Sequence, residues 1–261
     1  MGETGWQQEY GRAGRVKMDL LSRILKILWL GLWLGLATLT MFAPVTVSAL
    51  LDSTGNLPFS LSKVWAWIML KVTGVRPEVR DRGKIRKGES YIIIANHQSH
   101  FDALALVTTL GIQFRWIAKK ELLKVPLFGH ALYLSRNIFI DRWDKKRSIK
   151  GIREGMNRLP PGASALFFAE GTRSPDGKIQ EFKKGGFATA IERGLPILPV
   201  TINGSGKVLP KGSIVFYPGP IEVVIGDPIE AKNYTADRLG ELVNRTRDIV
   251  ISNFNPDYPE K

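Results

Sequence analysis

From Ile27 to Leu51 no charged residue interrupts a run rich in Leu, Trp and Ala. A helix of roughly 20 apolar residues matches the hydrocarbon core of a bilayer, so this stretch must become a lipid-facing helix or a deeply buried one. Arg12, Arg15, Lys17, Arg23 and Lys26 precede it, and by the positive-inside bias that end stays in the cytoplasm. Pro44 predicts a kink or a stop. Val47-Ser48-Ala49 also fits a signal-cleavage site, against which stand the long polar lead-in and an apolar run longer than a usual signal core. A second segment, Leu61 to Val75, sets Trp65 and Trp67 between Lys63 and Lys71. It is too short to span comfortably, and tryptophan flanked by lysine suits the headgroup layer. The expectation is a polar basic segment over residues 1–23, then a membrane-associated two-helix motif over 24–75. Core helices of a soluble protein are the alternative.

Residues 76–261 read as one α/β domain, a mostly parallel sheet flanked by helices. Strands are predicted at Tyr91 to Ala95, Phe114 to Ala118, Ala165 to Ala169, Ile197 to Ile202, Ile214 to Tyr217 and Ile221 to Ile225. Helices are predicted to begin near Asp102, Asp144, Gly186 and Thr235, and the last carries apolar Leu239, Leu242, Val243, Ile249 and Val250 at helical spacing. The 37 Lys and Arg against 24 Asp and Glu give a formal charge of +13. That balance favours anionic partners: phosphorylated lipids, bilayer headgroups or nucleic acid. Cysteine is absent, which excludes a disulfide scaffold, a cysteine nucleophile and a zinc-thiolate site.

The chemistry-bearing residues cluster after predicted strands. Tyr91 to Ala95 ends just before Asn96-His97, placing His97 at the carboxyl end of a parallel strand, where such sheets bind ligands. Asp102 follows five residues later; a turn through Gln98 to Phe101 can fold its carboxylate against the imidazole, fixing the tautomer of a general base. Two other readings stand beside it. Asp102 could cap a helix through Leu104, Ala105 and Leu106, or His97, His100 and Asp102 could hold a metal. With three histidines in the chain and no metalloprotease-type motif, no metal is expected.

Downstream, Phe167-Phe168-Ala169-Glu170-Gly171-Thr172-Arg173-Ser174 again sets polar residues after an apolar strand. Gly171 permits close backbone approach, and Arg173 offers a fork to phosphate. Glu170 can accept from a glycerol hydroxyl, orient that arginine, or form a plain loop ion pair with it. Lys183, Lys184 and Gly185 lead into a helix whose free amides suit a phosphate cradle. Lys119 and Arg142 each follow an apolar run and can reach the same crevice, whereas Lys120, Lys124, Lys145, Lys146 and Arg147 read as a solvated basic face. Leu195-Pro196-Ile197-Leu198-Pro199-Val200 carries no acid-base group and reads as architecture.

The order of these blocks, Asn96-His97 and Asp102 with four residues between them, Phe139-Ile140-Asp141-Arg142, Glu170-Gly171-Thr172-Arg173-Ser174 and Leu195 to Val200, resembles the glycerolipid acyltransferases over about residues 60 to 227. The resemblance is strongest to members acting on 1-acylglycerol 3-phosphate. It implies that His97 and Asp102 are the catalytic pair, that Lys119 and Arg142 hold the acceptor's phosphate, and that Pro196 and Pro199 help wall an acyl site. It further implies lysophosphatidic acid and an acyl thioester as substrates, the thioester supplied by acyl-CoA or acyl-carrier protein with no cofactor. The site would work on a phospholipid membrane at the cytoplasmic face, with no nucleic acid as partner.

Overall fold

The computed structural model describes residues 20–259. Residues 1–19 of the expected polar segment, with Arg12, Arg15 and Lys17, lie outside them. Helix α1 (Leu20–Leu51) runs through Pro44 without ending, which corrects the predicted stop: one missing N–H is a local loss inside 32 residues of apolar helix. At 1.5 Å per residue α1 is about 48 Å long, and it is the one helix among the described residues long and apolar enough to cross a membrane. Leu25, Leu28, Leu32, Leu36 and Leu39 are all exposed and fall along one stripe. A soluble core helix would bury such a stripe.

Helix α2 (Asn56–Val72) folds back on α1. The Trp65 indole N–H donates to Thr38 Oγ1 at 3.2 Å, and that of Trp29 to the Val72 carbonyl at 2.7 Å. The turn between the helices is held by Arg115, a fully buried residue whose guanidinium donates to the Thr54 carbonyl at 3.2 Å and to Asn56 Oδ1 at 2.5 Å. The hairpin is thereby fastened to the sheet by a charge-assisted network.

Seven strands form that sheet: β1 (Val75–Arg80), β2 (Ile92–Ala95), β3 (Phe114–Lys119), β4 (Ile138–Ile140), β5 (Ser164–Phe168), β6 (Ile197–Asn203) and β7 (Gly219–Ile225). Their order is β1-β7-β6-β2-β5-β3-β4. Every neighbouring pair is parallel except β6 with β7. β1 was not expected, because Arg76, Pro77, Glu78 and Arg80 disguise an edge strand that buries Val75. Conversely, Ile214 to Tyr217 is not a strand: β7, the strand that follows it, is already paired on both sides, by β1 and β6, which leaves no room for a hairpin with it.

Residues of alternate parity feed two cores. On one face Ile93, Leu166 and Leu198 pack with Phe59 and Leu70 of α2 and with Leu106 of α3 (Phe101–Thr109). On the other, Ile92, Ile94, Ala165 and Ile197 meet α5 (Lys145–Asn157), α6 (Gly185–Arg193) and α8 (Leu239–Ser252). Short helices α4 (Phe128–Leu134) and α7 (Ser205–Val208) complete the chain. Strand β2 lies between β5 and β6 with all four residues buried, so its carboxyl end delivers the next residues from a rigid base.

Candidate active site

Those next residues are Asn96 and His97. The Asn96 amide exchanges two hydrogen bonds with the backbone of Ile202, donating at 3.0 Å and accepting at 2.7 Å, and so ties the end of β2 to β6. The His97 ring then meets Asp102, with Nδ1 at 2.7 Å from Oδ2. That same oxygen accepts from the amides of Gln98 at 2.7 Å and Ser99 at 2.9 Å. Asp102 is wholly buried and sits in the first turn of α3, where the helix dipole favours negative charge. It is not the N-cap, a position held by His100. Its carboxylate turns back to the imidazole, and a purely capping role is set aside. A carboxylate facing Nδ1 favours the tautomer protonated there, in which Nε2 is the acceptor. The ring stacks on Phe168 at 3.8 Å between centroids, and 17% of the side chain remains accessible, enough for a substrate proton to reach it.

The third block holds the backbone of His97 from both sides. Glu170 Oε1 accepts from the His97 amide at 2.8 Å, and the His97 carbonyl accepts from Ser174 N–H at 2.8 Å. Glu170 Oε2 takes the Gln180 amide at 3.1 Å. The buried carboxylate of Glu170 places each oxygen on a backbone amide, and among the described residues no ion pair links it to Arg173. Burial pushes its carboxyl up to about 7, against the opposing pull of those two amides.

Beside it the cations gather. Arg142 Nη1 donates to the Gly171 carbonyl at 2.9 Å. Gly171 has φ +73°, and a Cβ placed on it would stand 2.6 Å from Cε and Nζ of Lys183. Arg142, Gly171 and Lys183 are thus one cluster at the mouth. Arg173 is half-buried, and its carbonyl accepts from Lys211 at 2.7 Å. His100 is held below the ordinary imidazole range, first by desolvation and then by the charge of Arg173, with Lys119 adding a smaller push. Lys119 ends β3 and is exposed.

Other expected site residues stand apart. Lys184 and Gly185 are exposed at the start of α6. Pro196 and Pro199 are buried in the sheet, and Pro199 lies close to Gly226, as does Ile249 of α8. That face of β6 is opposite the one to which Phe168 belongs, and Pro196 precedes β6 at its amino end. Apolar surface near His97 comes instead from Phe168 and Trp116, stacked at 5.7 Å. Among the described residues no group of three His, Asp or Glu converges as a metal site. Gln180 and Lys211 carried no signal in sequence, and the role of Asn96 in tying β2 to β6 did not show there, because their partners lie far along the chain.

The sequence model of the Acyltransferase family matches residues 76–203. A 1-acyl-sn-glycerol-3-phosphate acyltransferase of Pseudomonas aeruginosa is 38% identical over 69% of this chain and 69% of its own length. A chloroplastic relative of the same name from Arabidopsis thaliana is 36% identical over 63% of this chain. The chain spans only 45% of that plant protein. Among solved structures, the LPA acyltransferase PlsC of Thermotoga maritima superposes with a TM-score of 0.74 at 26% identity, covering 87% of this chain and 94% of that one. The fold and these likenesses agree, and the chain belongs to the acyltransferase family.

Proposed function

We propose that the chain transfers a fatty acyl group from a thioester, borne by CoA or acyl-carrier protein, to the sn-2 hydroxyl of 1-acylglycerol 3-phosphate, giving phosphatidic acid. The observation that carries this reading is the His97–Asp102 pair, 2.7 Å apart, set beside the Arg142–Gly171–Lys183 cluster. Nε2 of His97 takes the proton of the acceptor hydroxyl as its oxygen attacks the thioester carbonyl. The new C–O bond forms, the C–S bond breaks, and the proton passes from the imidazolium to the departing thiolate. Asp102 stabilises the imidazolium between those steps. No acyl-enzyme is needed, because a thioester is already activated; the chain has no cysteine to form one by that route. For the same reason the reaction takes no cofactor. Arg142, Lys183 and Arg173 clamp the acceptor's phosphate, turning an encounter into an oriented complex.

The exposed leucine stripe of α1 supports seating the domain on a phospholipid membrane, where the lysolipid and product reside, and the basic flank supports its cytoplasmic face. Purified protein should be given labelled acyl-CoA or acyl-carrier protein with lysophosphatidate, glycerol 3-phosphate or other lysolipids. Efficient transfer to lysophosphatidate is expected. An inert lysophosphatidate beside a well-acylated alternative would refute the acceptor assignment.

A further inference from the structure

Helix α5 breaks a local electrostatic rule. Its first turn holds Lys145, Lys146 and Arg147 and no acid, although cations at a helix amino terminus oppose the helix dipole. Charges placed where they harm the helix point to a use outside it. Arg147 is answered by Asp144 and Asp141, Lys150 by Glu154 and Arg153 by Glu192. Lys145 and Lys146 have no ion-pair partner among the described residues. Two apolar side chains sit among these charges: Trp143 is 91% exposed and Ile149 is exposed too. Lys146, Ile149, Lys150, Arg153 and Asn157 follow helical spacing along a shallow recess of about 360 Å³, whose one acid, Glu154, is paired with Lys150.

Position narrows the occupant. The patch begins beside Arg142, whose guanidinium donates to the carbonyl of Gly171, the residue after the Glu170 that holds the His97 amide. The buried side of α5, Ile152 and Met156, belongs to the core opposite α2. The outward stripe therefore faces away from the apolar hairpin and the bilayer it would enter. It runs about 20 Å, the length of a 13-residue helix, which is long for a nucleotide phosphate and suited to another helix. An exposed tryptophan amid basic residues has the composition of a protein-interface anchor.

We propose that Trp143 and the basic stripe of α5 dock an acidic, helical carrier protein that presents the acyl thioester to His97 on a flexible arm. This rests on the acyl-transfer reading for its cargo and on charge complementarity for its partner.

The test uses the full chain in detergent micelles and compares wild type with Lys145→Glu/Lys146→Glu and with Trp143→Ala. Acids at these two positions suit the helix dipole, so loss of the helix cannot mimic loss of docking. With acyl-carrier protein as donor, kcat/KM should fall at least about tenfold, and the wild-type rate should drop steeply with salt. With acyl-CoA it should stay within about twofold. Equal losses with both donors, or unchanged carrier kinetics, would overturn the docking surface. Fluorescent holo-acyl-carrier protein binding, read by anisotropy, needs no turnover: if no donor supports transfer, the functional reading fails alone, and docking stands or falls on whether the charge reversal weakens this binding about tenfold. Weakened attachment to anionic vesicles with carrier binding intact would assign the patch to the membrane and also overturn it.

Discussion

The carboxylate of Glu170 accepts the backbone N–H of His97 at 2.8 Å, so a residue 73 positions away along the chain fixes the backbone from which the imidazole springs. Its second oxygen fastens Gln180. The end of β2, the end of β5 and the loop returning to α6 are thereby joined at one buried acid.

Replacing Glu170 by Gln should lower kcat with a smaller change in KM, because a side-chain amide presents N–H where one of the two backbone donors needs an acceptor. It should also change the pH dependence of stability. Burial raises this carboxyl from 4.5 to about 7, so between those values the folded state binds more protons than the unfolded one. Wild-type stability should therefore fall as pH rises through that window, by up to about 3 kcal/mol. Chemical denaturation across pH is the measurement; parallel wild-type and E170Q curves would contradict it.

His97→Ala should abolish transfer, and Asp102→Asn should lower kcat by about 10²–10⁴-fold. Asparagine keeps one acceptor but loses the negative charge that stabilises the imidazolium. Both variants should still sediment with membranes. Transfer retained in H97A would remove the general base from the mechanism.

Arg142→Ala should raise KM for the phosphorylated acceptor by about tenfold or more, since a charge-assisted bond is worth about 1.5–3 kcal/mol. KM for the acyl donor should move little. A variant affected only in its donor KM would place Arg142 at the thioester instead.

Gly171→Ala should destabilise the fold by about 1–2 kcal/mol from its φ of +73° alone, and it should also push Lys183 aside. Lys183→Ala in the same background should relieve the clash and leave the backbone strain. Thermal unfolding of the two variants separates these contributions; an unchanged midpoint in G171A would mean the loop adjusts freely.

Much of the architecture was legible because periodicity is local. The buried runs at Ile92–Ala95 and Ile197–Asn203 are apolar on both faces, as a central parallel strand must be, and Asp144 capping α5 through the Arg147 amide at 3.0 Å follows from residues three apart. β1 escaped because an edge strand can be mostly polar and still pair through its backbone. Pro199 was legible as architecture, but its face was not: only the packing of α8 decides which side of β6 is walled.

The sequence by itself determined the apolar helices, the alternation of strand and helix, and the placing of His97 just after a buried strand, since each is written in neighbouring residues. It left Asp102 open between cap, metal ligand and partner of His97, and it gave Glu170 to the substrate. Tertiary structure decided both. Oδ2 of Asp102 faces back to His97 Nδ1 and two preceding amides, and Glu170 is drawn inward to backbone donors that would otherwise be buried unpaired. Such choices depend on which distant amides need an acceptor, and that is fixed only when β2, β5 and the loops beyond them meet.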